Sequence, residues 1–75
     1  MSSETLTPQQ KCVLESMARG DSDKLIAERL GITERTVRFH VAGAIARLAA
    51  LSRTHAVALA MSHGEIAPPR VAAAK

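Results

Sequence analysis

The stretch GITERTVRFHV, residues 31–41, decides the fold of this chain of 75 residues. A glycine and a two-residue link precede an apolar-periodic run that also carries two arginines. Glycine is favoured just past the end of a helix, where the backbone turns left-handed, and threonine is favoured as the cap of the next helix. Two helices joined by such a short turn are typical of a helix-turn-helix. We therefore predict that Gly31, Ile32 and Thr33 link the two helices of that motif.

The pattern on both sides of this turn predicts an all-α chain of four helices. Each helix is preceded by a side chain that can cap it, and three of them are followed by a glycine. Residues 6–66 form the predicted domain, between a flexible N-terminus of residues 1–5 and a flexible C-terminal tail of residues 67–75. The predicted caps are Thr7, Ser22 or Asp21, Thr33 and Ser52, and the helices run to Gly20, Leu30, Leu48 and about His63.

Apolar residues recur at helical spacing in every helix and define the predicted core. The stretch AGAIA, residues 42–46, is expected to leave an unusually bare surface on the third helix. The predicted inward-facing residues are Val13, Leu14, Met17 and Ala18, then Leu25, Ile26, Ala27 and Leu30, then Val37, Val41, Ile45 and Leu48, and finally Ala56, Val57, Ala60 and Met61.

Charge and helix geometry together indicate a surface for a polyanion. Residues 24–53 carry six cationic residues and two glutamates, a net charge of +4, while the whole chain carries +3. A local basic region of this kind is expected of a nucleic-acid binder. With the apolar stripe turned inward, an outward face remains that carries two arginines near a helix N-terminus, which suits the major groove of DNA. The predicted outward residues are Arg35, Arg38, Phe39, Ala42 and Ala46.

The composition offers little for an enzyme, a metal site or a membrane protein. Cys12 is the only cysteine, so it forms no internal disulfide, and no motif of a catalytic thiol surrounds it. His40 has no second ligand at metal-binding spacing, so we expect a packing or hydrogen-bonding role for it. No apolar run approaches the roughly 18 residues of a membrane span, and no signal-peptide pattern is present. We therefore predict a cytoplasmic protein without catalytic activity, cofactor or metal.

Five segments resemble the LuxR/GerE-type DNA-binding domain of bacterial transcription regulators. The resemblance covers about residues 6–66. It implies a four-helix domain whose third helix enters the major groove, a role as a sequence-specific transcriptional regulator, and a homodimer contact through the fourth helix. The segments are LTPQQKCVL (6–14), GDSDKLIAERL (20–30), ITERTVRFHV (32–41), IARL (45–48) and SRTHAV (52–57).

The resemblance also implies site residues, position by position. Arg38 matches the family's groove-entering lysine or arginine, Phe39 and Ala42 match its neighbouring base-facing positions, and Lys24 and Thr36 match phosphate contacts. The complete predicted DNA-binding set is Lys24, Thr33, Arg35, Thr36, Arg38, Phe39, Ala42 and Arg47. The fourth helix is apolar on more than one side, which favours a dimer contact there, and the predicted contact residues are His55, Leu59 and Ser62.

A second interpretation stays open because the third helix departs from the family pattern. Relatives often carry a basic or polar residue where this chain has Ala42, and Phe39 is bulky for a recognition helix. Base readout by hydrogen bonds then rests on Arg35 and Arg38, each suited to guanine. The alternative is a protein-binding module that modulates another regulator through Phe39 and the Ala-rich face. A sigma-factor-type DNA reader is a further possibility within the DNA-binding class.

Overall fold

The computed structural model describes residues 5–69, which form four helices and, within that range, no strand. The helices are α1 (Pro8–Ala18), α2 (Asp23–Leu30), α3 (Glu34–Leu48) and α4 (Arg53–Ser62). The longest helix, α3, packs against all three others, and α1 also packs against α2 and α4. The predicted all-α, four-helix architecture is confirmed. No helix in the described range is long and apolar enough to cross a membrane.

Every helix begins after a hydroxyl side chain that the sequence predicted as its cap. Thr7, Ser22, Thr33 and Ser52 each have extended backbone, and each side-chain oxygen accepts a hydrogen bond from the backbone N–H three residues later. Such caps satisfy N–H groups that have no partner inside the helix. Ser22, and not the alternative Asp21, is therefore the cap of α2.

The turn between α2 and α3 has the predicted form. Gly31 caps α2 with left-handed backbone at φ +70°, and its N–H donates to the carbonyl of Ala27. A Cβ built at Gly31 would meet nothing within 4 Å, so the backbone conformation, and not crowding, is what requires glycine there. Thr33, only two residues on, already caps α3. The two helices of the motif are therefore joined by three residues.

The core consists of two clusters that meet at α1 and α3. Met17 and Ile45, both half-buried, pack against both clusters. The smaller cluster joins α2 to α1 and α3, and so fixes the two helices of the motif relative to each other. It contains Val13, Ile26, Ala27, Val37 and Val41. The larger cluster is formed by Leu6, Leu14, Ala44, Leu48, Ala56, Val57, Ala60 and Ile66.

One prediction about burial was wrong, and α4 is slightly shorter than expected. Leu30 is 41% exposed, because it lies in the last turn of α2 and lines an open groove instead of the core. The stretch of residues 42–46 presents no polar side chain on the surface of α3. Ala44 is fully buried in the larger core cluster, Ile45 is half-buried, and only the two alanines at the ends of the stretch are exposed. The fourth helix ends at Ser62, with His63 as its cap residue.

Residue 43 is a glycine because α1 approaches α3 closely at that point. A Cβ on Gly43 would lie 2.7 Å from Nε2 of Gln10, a side chain that is itself buried. Gln10 cannot easily move away, because its Oε1 accepts a hydrogen bond from the N–H of Thr7 at 3.0 Å, as part of the capping box of α1. The glycine in the middle of α3 is therefore explained by helix packing.

Both ends of the described chain are hydrogen-bonded to the four-helix unit. The Glu65 carboxylate accepts from the backbone of Thr5, and Nη1 of Arg47 donates to the carbonyl of Thr5 at 2.8 Å. The N–H of Ala67 donates to Oε2 of Glu15 at 3.3 Å. The flexible segments predicted at residues 1–5 and 67–75 otherwise lie largely outside the described residues, and their mobility stays a prediction.

Candidate nucleic-acid interface

The outward face of α3 is the candidate interface. The buried positions Val37, Val41 and Leu48 hold one side of the helix against the core, so the opposite side faces outward. The exposure predicted for this face is confirmed at every position, since the exposed residues include Arg35, Arg38, Phe39, Ala42 and Ala46.

Three cations in this region are free of strong intramolecular pairing. Lys24, in the first turn of α2, and Arg35 are exposed and make no hydrogen bond or ion pair with any residue in the range 5–69. Arg38 approaches Glu34, one turn earlier, with Nη1 and Oε1 3.9 Å apart and both side chains about half exposed. An exposed i,i+4 pair at that distance is weak. These cations are therefore available to an external anion.

The other arginines of the basic region are engaged elsewhere. Nη1 of Arg29 lies 3.2 Å from Oδ2 of Asp21. Both terminal nitrogens of Arg53 donate to the two carboxylate oxygens of Asp23, at 2.8 and 3.4 Å. Arg47 donates to the carbonyl of Thr5, so the one predicted DNA contact at the far end of α3 has a structural partner in the folded chain. Of the six cations that the sequence places in residues 24–53, only three therefore lack a strong intramolecular partner within residues 5–69.

Thr33 and Thr36 form one unit at the start of α3. Oγ1 of Thr33 accepts from the N–H of Thr36 at 3.0 Å, and the two hydroxyl oxygens are 2.9 Å apart. The other N–H groups of this first turn have no intrahelical acceptor, and the positive end of the helix dipole lies here. Arg35 and the helix dipole therefore favour an anion at this end of α3, while the exposed carboxylate of Glu34 in the same turn opposes one.

The predicted dimer residues on α4 have unequal exposure. Ser62 is exposed, while Leu59 is half-buried and packs against the larger core cluster. His55 is half-buried, and its Nδ1 accepts a hydrogen bond from the N–H of Leu51 at 2.9 Å. Two of the three residues therefore already have an intramolecular role, and their part in a dimer stays a prediction.

Sequence reasoning missed two tertiary links made by carboxylates. Asp23, in the first turn of α2, accepts a hydrogen bond from Arg53 at the start of α4. Glu65, which was not singled out at all, ties the segment after α4 to the segment before α1. The signal in the sequence is the position of Glu65 between a glycine and an isoleucine just after α4. In the structure, Gly64 has a φ of +74° and Ile66 is buried outside any helix.

Comparisons with known proteins agree with this geometry. The family model for bacterial regulatory proteins of the luxR family, GerE, matches residues 4–60. The transcriptional activator protein BjaR1 of Bradyrhizobium diazoefficiens is 46% identical over 63 residues, which are 84% of this chain and 26% of that protein. The transcriptional regulatory protein YdfI of Bacillus subtilis is 42% identical over 59 residues, 79% of this chain and 28% of that protein.

The solved structure of the transcription factor GerE superposes on the chain with a TM-score of 0.82 and 30% identity, covering 85% of this chain and 96% of that one. The chain spans only about a quarter of the length of the curated relatives named above, at 26% and 28%. The match to GerE, by contrast, extends over almost its whole length. By sequence and by fold together, the chain belongs to the luxR family of bacterial regulatory proteins.

Proposed function

We propose that this chain is a sequence-specific DNA-binding unit of a transcriptional regulator, and that α3 lies in the major groove when it binds. The observation that carries the proposal is that the cations of residues 24–53 fall into two groups, those with strong partners among the described residues and those without. Those that have strong partners join parts of the fold, whereas Lys24, Arg35 and Arg38 have none or a weak one. Family membership and relatives named as transcriptional regulators support it further. We propose no catalytic activity for the chain, and we propose that it acts in the cytoplasm.

Each residue of the site has a proposed task. Arg38 and Arg35 read guanine, because a guanidinium donates two parallel hydrogen bonds to O6 and N7. Lys24 and the first turn of α3, with Thr33 and Thr36, contact phosphates and so fix the register of the helix on the duplex. Arg47 retains its hydrogen bond to Thr5 and acts on DNA only through its charge.

The regulator is proposed to act as a homodimer joined through α4. His55, Leu59 and Ser62 are spaced four and three residues apart, so they share one face of that helix. A two-fold dimer would present two copies of α3 to half-sites about one helical turn, or roughly 10 base pairs, apart. The expected binding site is therefore a pseudo-palindrome.

A titration against duplex DNA at several salt concentrations tests the proposal. The logarithm of the affinity is expected to fall linearly with the logarithm of the salt concentration, with a slope of about −0.9 for each phosphate contacted. Arg38→Ala is expected to weaken binding to selected sites more than binding to random duplex. Arg19→Ala is the control, because it removes the same charge from the turn after α1, where Arg19 pairs with Ser16 and Asp21.

A second function is favoured by one observation, the 73% exposure of Phe39. In this alternative, Phe39 docks on another regulator and the chain modulates that protein. The surface offered is small, because Ala44 is buried and Ile45 half-buried beneath it. A folded protein that binds no duplex even at low salt would favour this alternative over the DNA-binding function.

A further inference from the structure

Phe39 is an unusual residue for the exposed face of α3. It is the only aromatic residue of the chain, and it is 73% exposed although the core is built entirely of aliphatic side chains. Its ring contacts His40 edge-on, with centroids 5.7 Å apart, so the ring is partly oriented by its neighbour. A single exposed apolar side chain is common on protein surfaces, so a ligand contact is indicated only by the residues that share this helix face with Phe39.

Between Arg38 and Arg47, the exposed face of α3 carries only hydrocarbon side chains. Between residues 39 and 46, the exposed side chains are Phe39, Ala42 and Ala46, which line up at spacings of three and four. None of them donates or accepts a hydrogen bond. Whatever this half of the face recognises in the groove must therefore be apolar.

The major groove offers one apolar group on the edges of its base pairs, the methyl group at C5 of thymine. We infer that Phe39 and Ala42 read the C5-methyl group of a pyrimidine that neighbours the guanine read by Arg38. This inference rests on the proposed DNA-binding function. Since Phe39 follows Arg38 directly and Ala42 lies one turn further along the helix, the methyl group belongs to a base pair within one or two steps of that guanine.

The same chemistry sets the class of base that is accepted. Thymine and 5-methylcytosine share the C5-methyl group and differ at C4, where one carries a carbonyl oxygen and the other an amino group. A phenyl ring and a methyl side chain form no hydrogen bond with either group. The site therefore selects a 5-methylpyrimidine, so that 5-methylcytosine replaces thymine at this position while unmethylated cytosine and uracil do not.

Synthetic duplexes test this inference directly. A binding site is first selected from random duplex DNA, and each thymine in it is then replaced singly by deoxyuridine, which removes only the methyl group. Kd is measured by fluorescence anisotropy at fixed salt. At one or two positions in each half-site, deoxyuridine is expected to raise Kd about fourfold for each methyl group lost. At those positions, 5-methylcytosine opposite guanine restores binding relative to cytosine opposite guanine.

Protein variants assign the effect to Phe39. In Phe39→Ala, the ratio of Kd between the deoxyuridine site and the thymine site is expected to fall towards one, because Ala42 alone then contacts the methyl group. Leu51→Ala is the matched control, because Leu51 is 90% exposed, is also apolar, and lies in the link before α4. That variant is expected to keep the full difference between thymine and deoxyuridine. Circular dichroism verifies that both variants are folded.

Two results would overturn the inference while leaving the DNA-binding function intact. One is a selected site in which no deoxyuridine substitution changes Kd. The other is a thymine-to-deoxyuridine ratio that is the same in Phe39→Ala as in the unmodified protein. If the folded protein enriches no duplex at low salt, the proposed function itself fails, and the inference fails with it.

Discussion

The Glu65 carboxylate accepts a hydrogen bond from the backbone N–H of Leu6 at 2.9 Å, across 59 residues of sequence. The same oxygen, Oε1, also accepts from the N–H of Thr5 at 2.8 Å. Its second oxygen, Oε2, is buried without a hydrogen-bond partner among the described residues. Since Leu6 belongs to the larger core cluster, Glu65 closes the four-helix unit by joining the segment after α4 to the segment before α1.

Burial acts to raise the pKa of Glu65, but hydrogen bonds from the backbone of Leu6 and Thr5 and the nearby charge of Lys11 outweigh it and hold the pKa below its ordinary value. A lowered pKa in the folded state means that Glu65 contributes stability above the unfolded value of 4.5, and that this contribution is lost as pH falls through the folded value. Glu65→Gln is expected to lower the free energy of unfolding at pH 7 by about 1 kcal/mol.

Urea unfolding at pH 7 and at pH 3 checks this expectation. The stability difference between the unmodified protein and Glu65→Gln should shrink as the pH falls, because protonation removes the same charge that the substitution removes. Glu28→Gln, on the exposed face of α2, is the control. A difference that stays constant from pH 7 to pH 3 would contradict the role of the charged carboxylate.

Gly43 and Gln10 should be energetically coupled. Gly43→Ala replaces a glycine inside a helix, which by itself stabilises by about 1 kcal/mol. The new Cβ would lie 2.7 Å from Nε2 of Gln10, so the amide has to leave the capping box and the gain is offset. In a Gln10→Ala background the obstruction is gone. We therefore expect Gly43→Ala to be neutral or destabilising alone and stabilising by about 1 kcal/mol in that background.

Thermal or urea unfolding of the four proteins in this double-mutant cycle measures the coupling. Gln10→Ala alone reports the loss of the capping box and serves as the reference. If Gly43→Ala stabilises equally with and without Gln10, the close approach of α1 and α3 does not restrict that position.

Helix starts were predictable from sequence because a cap is a local interaction. The side chains of Thr7, Ser22, Thr33 and Ser52 each bond a backbone group only three residues away, so residue type and the following apolar pattern suffice. Burial at element ends and crossings was less predictable. Ala44 is buried in a cluster whose other members come from α1, α3, α4 and the segments beside them, and its own sequence neighbourhood contains no sign of those distant residues.

Replacing Arg53 by alanine should lower stability, whereas replacing Arg35 by alanine should lower DNA affinity. Arg53→Ala removes the two hydrogen bonds to Asp23 that link the starts of α4 and α2, and should lower the free energy of unfolding by about 0.5–1 kcal/mol. Arg35→Ala removes a side chain without an ionic partner in the described range. It should leave stability unchanged and weaken DNA binding by about 1–3 kcal/mol.

Unfolding in urea and DNA titration, both applied to both variants, separate the two roles. Arg53→Lys adds a further test, because lysine keeps the charge but cannot make the two-pronged contact with Asp23. Loss of DNA affinity in Arg53→Ala equal to that in Arg35→Ala would mean that both arginines reach the DNA.

A dimer through α4 is best tested at Ser62. Leu59 also packs against the core, so a substitution there would confuse loss of the dimer with loss of the fold. Ser62 is exposed, and Ser62→Glu would place two like charges near the two-fold axis of the proposed dimer. Sedimentation analysis should show a concentration-dependent dimer for the unmodified protein and a monomer for this variant.

Thr54→Glu is the control for the dimer test, since Thr54 is exposed on α4 but lies outside the set formed by His55, Leu59 and Ser62. A protein that stays monomeric at every concentration, and binds a two-half-site duplex no more tightly than a single half-site, would contradict a dimer through this helix.

The composition of the candidate interface was only partly predictable. The outward face of α3 followed from helical periodicity, which is a property of the helix itself. The sorting of arginines into paired and unpaired ones did not, because Arg53 finds its partner 30 residues away and Arg47 finds its partner 42 residues away. Contacts over such separations depend on how the helices pack. Because of them, only Lys24, Arg35 and Arg38 of the basic region lack a strong intramolecular partner in the described part of the chain.

Glu34 should act against DNA binding while it supports the helix that binds. Its carboxylate lies 3.9 Å from Nη1 of Arg38, and it occupies the first turn of α3, where a negative charge stabilises the helix dipole. Glu34→Gln should therefore lower the free energy of unfolding by about 0.3–1 kcal/mol. The same change removes an anion from the approach to the phosphates and releases Arg38, so affinity for DNA should rise several-fold at low salt.

The rise in affinity should shrink as salt is added, because it comes from charges that solvent ions screen. Glu28→Gln removes the same charge from α2 and separates an effect of Glu34 from an effect of net charge. Anisotropy titrations of the two variants at low and high salt provide the comparison. Equal gains in both variants would show that only the net charge matters, and that the contact between Glu34 and Arg38 does not restrain the arginine.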